Sequence, residues 1–280
     1  MNKITLFISQ VVFFLCSTLV VSAQSTLNKD DINLEKAFTN KDTAAAIHVL
    51  ESWSKESKGK KEVAHNDNKR LVYDVYARFM DNILTGKLAG SNDYYLNNSR
   101  YVFLQTAINY CIANESANAN VINQLVDTAI LDYNGFGLEK LQSYVNSFDG
   151  ENCTINQFHA YLNKASLKND TKRTIFYDDK KRKCVTDFLG FERGRGSIIY
   201  HESNEIREKK IEFFNSILGI NKNLEIEYRR PFVSEIIFDK GKNIAIVIYI
   251  LNEATYWAFY DMSKIRRLDY FAKSILISRS

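Results

Sequence analysis

The sequence predicts an α+β protein: a helical N-terminal part, then a helix packed on an antiparallel meander of four or five strands. Three observations predict it. Apolar residues recur at three- and four-residue spacing through much of residues 42–162, as on the buried faces of amphipathic helices. From residue 224 the pattern changes to alternation and to runs of β-branched and aromatic residues, which suit strands. The single proline among 280 residues is Pro231, so no proline interrupts the helices of the first half.

Asp42-Thr43 is expected to cap a helix carrying Ala44, Ala45, Ile47, Leu50 and Trp53, and the polar run Lys55 to Lys61 reads as a solvated linker. Leu71, Val72, Val75, Tyr76 and Phe79 mark a second helix, and Tyr101, Leu104, Ile108, Cys111 and Ile112 a third. Val121, Leu125, Val126, Ala129 and Ile130 mark the next, followed by one with Leu138, Leu141, Tyr144, Val145 and Phe148. Phe158, Tyr161 and Leu162 suggest a last short helix, closing a helical region over residues 24–163. No repeat period runs through these segments.

Residues 164–203 read as a basic, loop-rich connection of strand fragments and long loops, with Lys180-Lys181-Arg182-Lys183 as its densest charge, on a solvated loop. The final unit, residues 204–280, begins with a helix that Ser203 caps, on which Ile206, Phe213, Phe214, Ile217 and Leu218 share a face, and that Gly219 ends. Leu224, Ile226 and Tyr228 alternate with charged residues in a first strand, and Pro231 separates it from Val233 to Phe238. A turn at Asp239 to Lys242 leads to Asn243 to Leu251, apolar on both faces and so a central strand. Asn252-Glu253 turns into Ala254 to Tyr260, and Ile265 to Phe271 closes the sheet. In outline the arrangement resembles cystatin-like and NTF2-like sheets, a likeness of architecture that carries no activity.

Composition excludes the unusual classes. With 45% hydrophobic and 25% charged residues, the chain is neither disordered nor collagen-like, and four cysteines make no disulfide knot. A net charge of +4 from 37 basic and 33 acidic residues is too small to demand a polyanion, and no nucleic-acid partner is expected. Residues 24–150 carry 13 basic and 16 acidic side chains and residues 151–280 carry 23 and 17, a split from −3 to +6 that supports a boundary between them.

The N-terminus reads as a secretory signal peptide over residues 1–23. Lys3 gives the positive start, Ile4 to Val21 is largely apolar, and Val21-Ser22-Ala23 offers a small-residue cleavage site. Cleavage after Ala23 leaves 257 residues (280 − 23), in the periplasm or outside the cell, with no transmembrane segment expected afterwards. The alternative is an uncleaved N-terminal anchor. Phe13-Phe14-Leu15 before Cys16 lacks the small residues of a lipidation site. Cys111, Cys153 and Cys184 remain; at most one pair of them can bond, and the spacing leaves open whether any does.

No catalytic constellation emerges. His201-Glu202-Ser203-Asn204-Glu205 comes nearest to a zinc-hydrolase motif, but Glu205 stands where a second histidine is needed, and a polar surface cluster is the favoured reading. Cys153 and His159 form a thiol–imidazole neighbourhood without a mechanistic spacing, and His48 reads as a core-edge histidine. Gly190, Gly194 and Gly196 around Arg193 and Arg195 read as a loop, and Tyr249, Tyr256, Trp257 and Tyr260 as core on one side of the sheet and ordinary surface on the other rather than a binding face. Asn97, Asn114, Asn152 and Asn169 begin glycosylation sequons that an asparagine-rich chain yields by chance. No catalytic residue, metal ligand or cofactor is assigned, and no ligand-binding residue can be named.

Val21-Ser22-Ala23-Gln24, the runs Arg70-Leu71-Val72-Tyr73 to Phe79 and Tyr101 to Tyr110, Asp187-Phe188-Leu189-Gly190 and Ile236-Ile237-Phe238-Asp239 together resemble uncharacterised exported proteins of Bacteroidota. The resemblance implies export and a late sheet, and brings no activity. The expectation is therefore an exported, non-catalytic protein that binds an unknown protein or envelope component. A hydrolase with a site assembled from distant residues, or a periplasmic immunity- or inhibitor-like protein, are the alternatives.

Overall fold

The computed structural model describes residues 29–59, 67–91, 99–131, 136–160, 162, 172–193, 198–220, 230–265 and 272–279. The expected signal peptide, Cys16, Asn97, Asn169, Gly194, Arg195, Gly196 and the strand expected at residues 224–228 lie outside them. The protein is α+β.

The helices are α1 (Lys29–Thr39), α2 (Thr43–Gly59), α3 (Asp67–Leu84), α4 (Ala119–Leu131), α5 (Phe136–Asn146), α6 (Asp179–Phe188) and α7 (Asn204–Leu218). The strands are β1 (Tyr101–Gln105), β2 (Ala107–Ala113), β3 (Gly150–Asn156), β4 (Arg173–Tyr177), β5 (Phe191–Arg193), β6 (Ile198–Tyr200), β7 (Phe232–Phe238), β8 (Ile244–Leu251), β9 (Ala254–Asp261) and β10 (Lys273–Arg279).

The expected meander is present as β7 to β10, each antiparallel to the next. It extends further than the sequence suggested, because β2 joins β7 in parallel and β3 joins β2 antiparallel, giving the order β10-β9-β8-β7-β2-β3. Helices cover both faces. On one, Phe79 of α3 meets Tyr249 of β8 with ring centroids 4.9 Å apart, and Tyr249, Tyr256 and Tyr260 join the main core. On the other, Ile122, Val126 and Ala129 of α4 and Leu141 and Val145 of α5 pack on Ile237, Ile246, Trp257, Phe259 and Ile275. Burial on both faces explains why β8 reads as a continuous apolar run.

Several expectations are corrected. Residues 101–112 form β1 and β2 rather than a helix: a strand buried on both faces also satisfies a three-four spacing. Thr106 separates β1 from β2, and its carbonyl accepts from the Phe158 N–H at 2.7 Å. There the chain changes sheets, since β1 pairs in parallel with β4 instead. Helix α2 continues to Gly59, so Lys55 to Gly59 of the run read as a linker are helical and Lys60 and Lys61 lie outside the described residues. Residues 158–160 are not helical. The strand fragments expected in residues 164–203 are present as β4, β5 and β6, but Lys180 to Lys183, expected in a loop, lie on the helix α6. Of the closing strand expected at residues 265–271, Ile265 lies in a turn and residues 266–271 lie outside the described residues; Lys273–Arg279 is the strand that pairs with β9.

Other local expectations hold. Asp42 accepts from the Ala45 N–H at 2.9 Å and Ser203 from the Ile206 N–H at 3.4 Å, caps that each stabilise a helix start by about 1 kcal/mol. Gly219 ends α7 at φ 77°, a left-handed conformation that glycine adopts without a Cβ clash. Asn252 and Glu253 take φ 52° and 63°, the left-handed pair that a two-residue hairpin turn requires.

Candidate binding sites

The stretch His201 to Glu205 enters α7, and its two carboxylates serve different ion pairs. Glu205 meets Lys209 one turn later at 2.6 Å. Glu202 accepts instead from Lys210 Nζ at 2.7 Å, and Glu35 of α1 accepts from the same ammonium at 2.8 Å. Lys210 is only 2% exposed. Its Nζ lies 5.2 Å from the Phe188 ring centroid and 5.8 Å from that of Phe38, so aromatic faces offset part of its desolvation. Gly190 (φ +70°) is required here, because a Cβ would come within 2.9 Å of the Glu202 carboxyl. The stretch is the polar surface cluster that the sequence suggested, with His201, Ser203, Asn204 and Glu205 exposed; through Glu202 it also reaches Lys210 and so joins α1, α6 and α7 as a clamp.

The other thiol and imidazole candidates have the following neighbours. Cys153 lies on β3 opposite Tyr110, and burial, with the Cys153 thiol second, pushes the Tyr110 hydroxyl above its ordinary value. His159 follows β3, its ring 4.7 Å from that of Phe176. His201 follows β6, its N–H donating to the Gly190 carbonyl at 2.8 Å. His48 is on α2. Among the described residues, no group of three or more His, Cys, Asp or Glu is placed to hold a metal ion. Lys181, within the basic run, is buried and pairs with Asp178 at 2.8 Å and Glu56 at 3.1 Å, so the run does not present four free cations to a partner.

Two features escaped the sequence reading. The first is Arg230, just before Pro231 and β7. It is 7% exposed, with its guanidinium carbon 5.0 Å from the Tyr177 ring centroid and 5.8 Å from that of Phe232. Its Nε and Nη1 are buried and donate to no acceptor among the described residues. Tyr177 ends β4 and is the register partner of Gln105, which ends β1. Gln105 uses its amide as a strand would: Oε1 accepts from the Val233 N–H at 2.8 Å, and Nε2 donates to the carbonyls of Val233 and Ala107 at 3.0 and 2.8 Å. Arg230 therefore sits where the two-stranded sheet meets the six-stranded one.

The second is an apolar end on the α4–α5 pair. Leu131 is 75% exposed and Phe136 67% exposed, with Ile130 also in water. They stand at the adjoining ends of the two helices, whereas the opposite faces of those helices pack on the sheet. In the sequence these residues were indistinguishable from core positions, since the helical period continues through them.

Comparison with protein-family models, curated proteins and solved structures finds no match for this chain. Among the described residues no helix is long and apolar enough to cross a membrane.

Proposed function

We propose that the protein is exported and acts without catalysis, by docking a protein partner of the cell envelope or surface through the apolar end of α4 and α5. The observation that carries this reading is the exposure of Ile130, Leu131 and Phe136 together. Large apolar side chains gathered in water cost free energy that a partner's burial recovers, at roughly 25 cal/mol per Å² covered. Export rests on the composition of residues 1–23. The competing hydrolase reading has less behind it: Cys153 on β3, His159 just after β3 and His201 after β6 have Tyr110, Phe176 and Gly190 as their respective neighbours.

The test is affinity capture with the mature protein from its own envelope fraction, beside the double variant Leu131→Asp, Phe136→Asp. The reading expects a protein partner retained by the wild type and lost by the variant, while both melt at the same temperature. Equal retention by both would place the contact elsewhere. Turnover in a broad hydrolase panel, abolished by Cys153→Ala or His201→Ala, would replace the reading with an enzyme.

A further inference from the structure

We propose that Arg230 is the receptor for a small organic carboxylate, held at the junction of the two sheets between Tyr177 and Phe232. The inference is independent of the docking surface on α4 and α5. A guanidinium is charged at every physiological pH and carries five N–H donors. Burying it is costly unless those donors find acceptors. Arg230 is 7% exposed, and its Nε and Nη1 have no acceptor among the described residues. Its aromatic neighbours offset part of the lost hydration through their π faces, yet a ring face replaces none of the in-plane hydrogen bonds.

The surroundings select the ligand. The polar side chain on the register partner of Tyr177 is the Gln105 amide, and both its oxygen and its nitrogen are committed to Val233 and Ala107. The Tyr76 hydroxyl nearby already accepts from the Gln105 N–H at 3.4 Å. A single cation suits a monoanion better than a doubly charged phosphate, which calls for several charged donors. A planar carboxylate matches the guanidinium fork. Phe232, 36% exposed at the rim, offers an apolar wall to the body that carries the carboxylate, so an aromatic or aliphatic acid is favoured over acetate.

The test is a thermal-unfolding titration of the purified protein with sodium benzoate, sodium acetate and inorganic phosphate, each against sodium chloride at matched ionic strength. A site of this kind gives a saturable rise in melting temperature, reaching half its maximum at lower benzoate than acetate or phosphate concentration. Arg230→Met, which keeps the length and removes the charge, weakens the benzoate response by about tenfold or more, the loss of one charge-assisted pairing. Phe232→Ser at the exposed rim lowers the preference for benzoate over acetate while the response to acetate persists. The proposal fails if benzoate does no more than chloride, as when water alone satisfies the guanidinium. It also fails if Arg230→Met responds within twofold of the wild type, or if phosphate saturates before benzoate. Should Arg230→Met not fold, Phe232→Ser decides: an unchanged benzoate preference overturns the assignment.

Discussion

Cys111 and Cys153 lie on adjacent strands one position out of register, on opposite faces of the sheet. Cys153 is paired across the ladder with Tyr110, and Cys111 with Asn152. Cys111 packs in the core beneath α4 and α5, whereas Cys153 packs against the main core on the other side. With the sheet between them, their Cβ vectors point apart, and a disulfide is geometrically barred. Cys184 is buried on α6 in the main core. All three are free thiols, which closes the question that spacing alone left open.

With residues 1–23 removed, as proposed, the protein is therefore expected to titrate three free thiols in denaturant, with the same electrophoretic mobility with and without reductant. Without denaturant Cys111 reacts slowly, because burial pushes its thiol above the ordinary value and the thiolate is the reactive form. Fewer than three thiols in the denatured protein would refute the assignment.

Asp239 at the β7–β8 turn concentrates four backbone donors on one carboxylate. Oδ1 accepts from Asn243 and Ile244 at 2.7 and 2.8 Å, and Oδ2 accepts from Gly241 and Ala117 at 3.2 and 3.3 Å. The residue is buried, so Asp239→Ala leaves donors that water reaches poorly and should destabilise the fold by roughly 2–4 kcal/mol. Asp239→Asn keeps one acceptor oxygen and should lose about half as much. Urea midpoints for the three proteins check the order; a loss below about 1 kcal/mol for Asp239→Ala would show that the turn does not depend on this carboxylate.

The α+β class, the caps at Asp42 and Ser203 and the turns at Asp239 to Lys242 and Asn252-Glu253 were legible because each is local: a side chain or a φ value within a few residues decides it. The strands at Tyr101 to Ala113 were not, because their partners are Arg173 to Tyr177, Gly150 to Asn156 and Phe232 to Phe238. Pairing over such separations leaves no period in the sequence beyond the apolar run itself. The same holds for the sites. Glu202 stood out as part of a near-motif, but its partner Lys210 stands eight residues further on, and that ammonium is shared with Glu35 on a distant helix. Nothing beside Arg230 in the sequence shows that Tyr177 will lie beneath it.

Lys210 tests whether its cluster acts as a clamp. Lys210→Ala removes the cation from between Glu35 and Glu202, both exposed more than the lysine, and opens a cavity beside Phe38 and Phe188. A loss of about 3–5 kcal/mol is expected. Lys210→Met keeps the stem's volume, and the two carboxylates retain access to water, so about half of that stability should return. The comparison is made by chemical denaturation at low and at 0.5 M salt (an ionic strength of the order that screens surface pairs). Equal losses in the two variants would assign the whole effect to charge and none to packing.

Glu235 predicts a pH dependence. It lies on β7 opposite Ile248, and burial alone pushes its carboxyl above the ordinary value of 4.5. The folded state thus holds this proton more tightly than the unfolded chain does. Below the unfolded value both states are protonated and the stabilising effect of the proton is fully present; it is lost as pH rises through the folded value, where ionised Glu235 burdens the fold. Glu235→Gln imitates the protonated form at every pH. Its melting temperature should exceed that of the wild type at pH 7, and the difference should shrink toward zero by pH 4. A difference that is the same at both pH values, or that grows on acidification, would mean that the residue's contribution lies in its hydrogen bonding or packing and not in its buried charge.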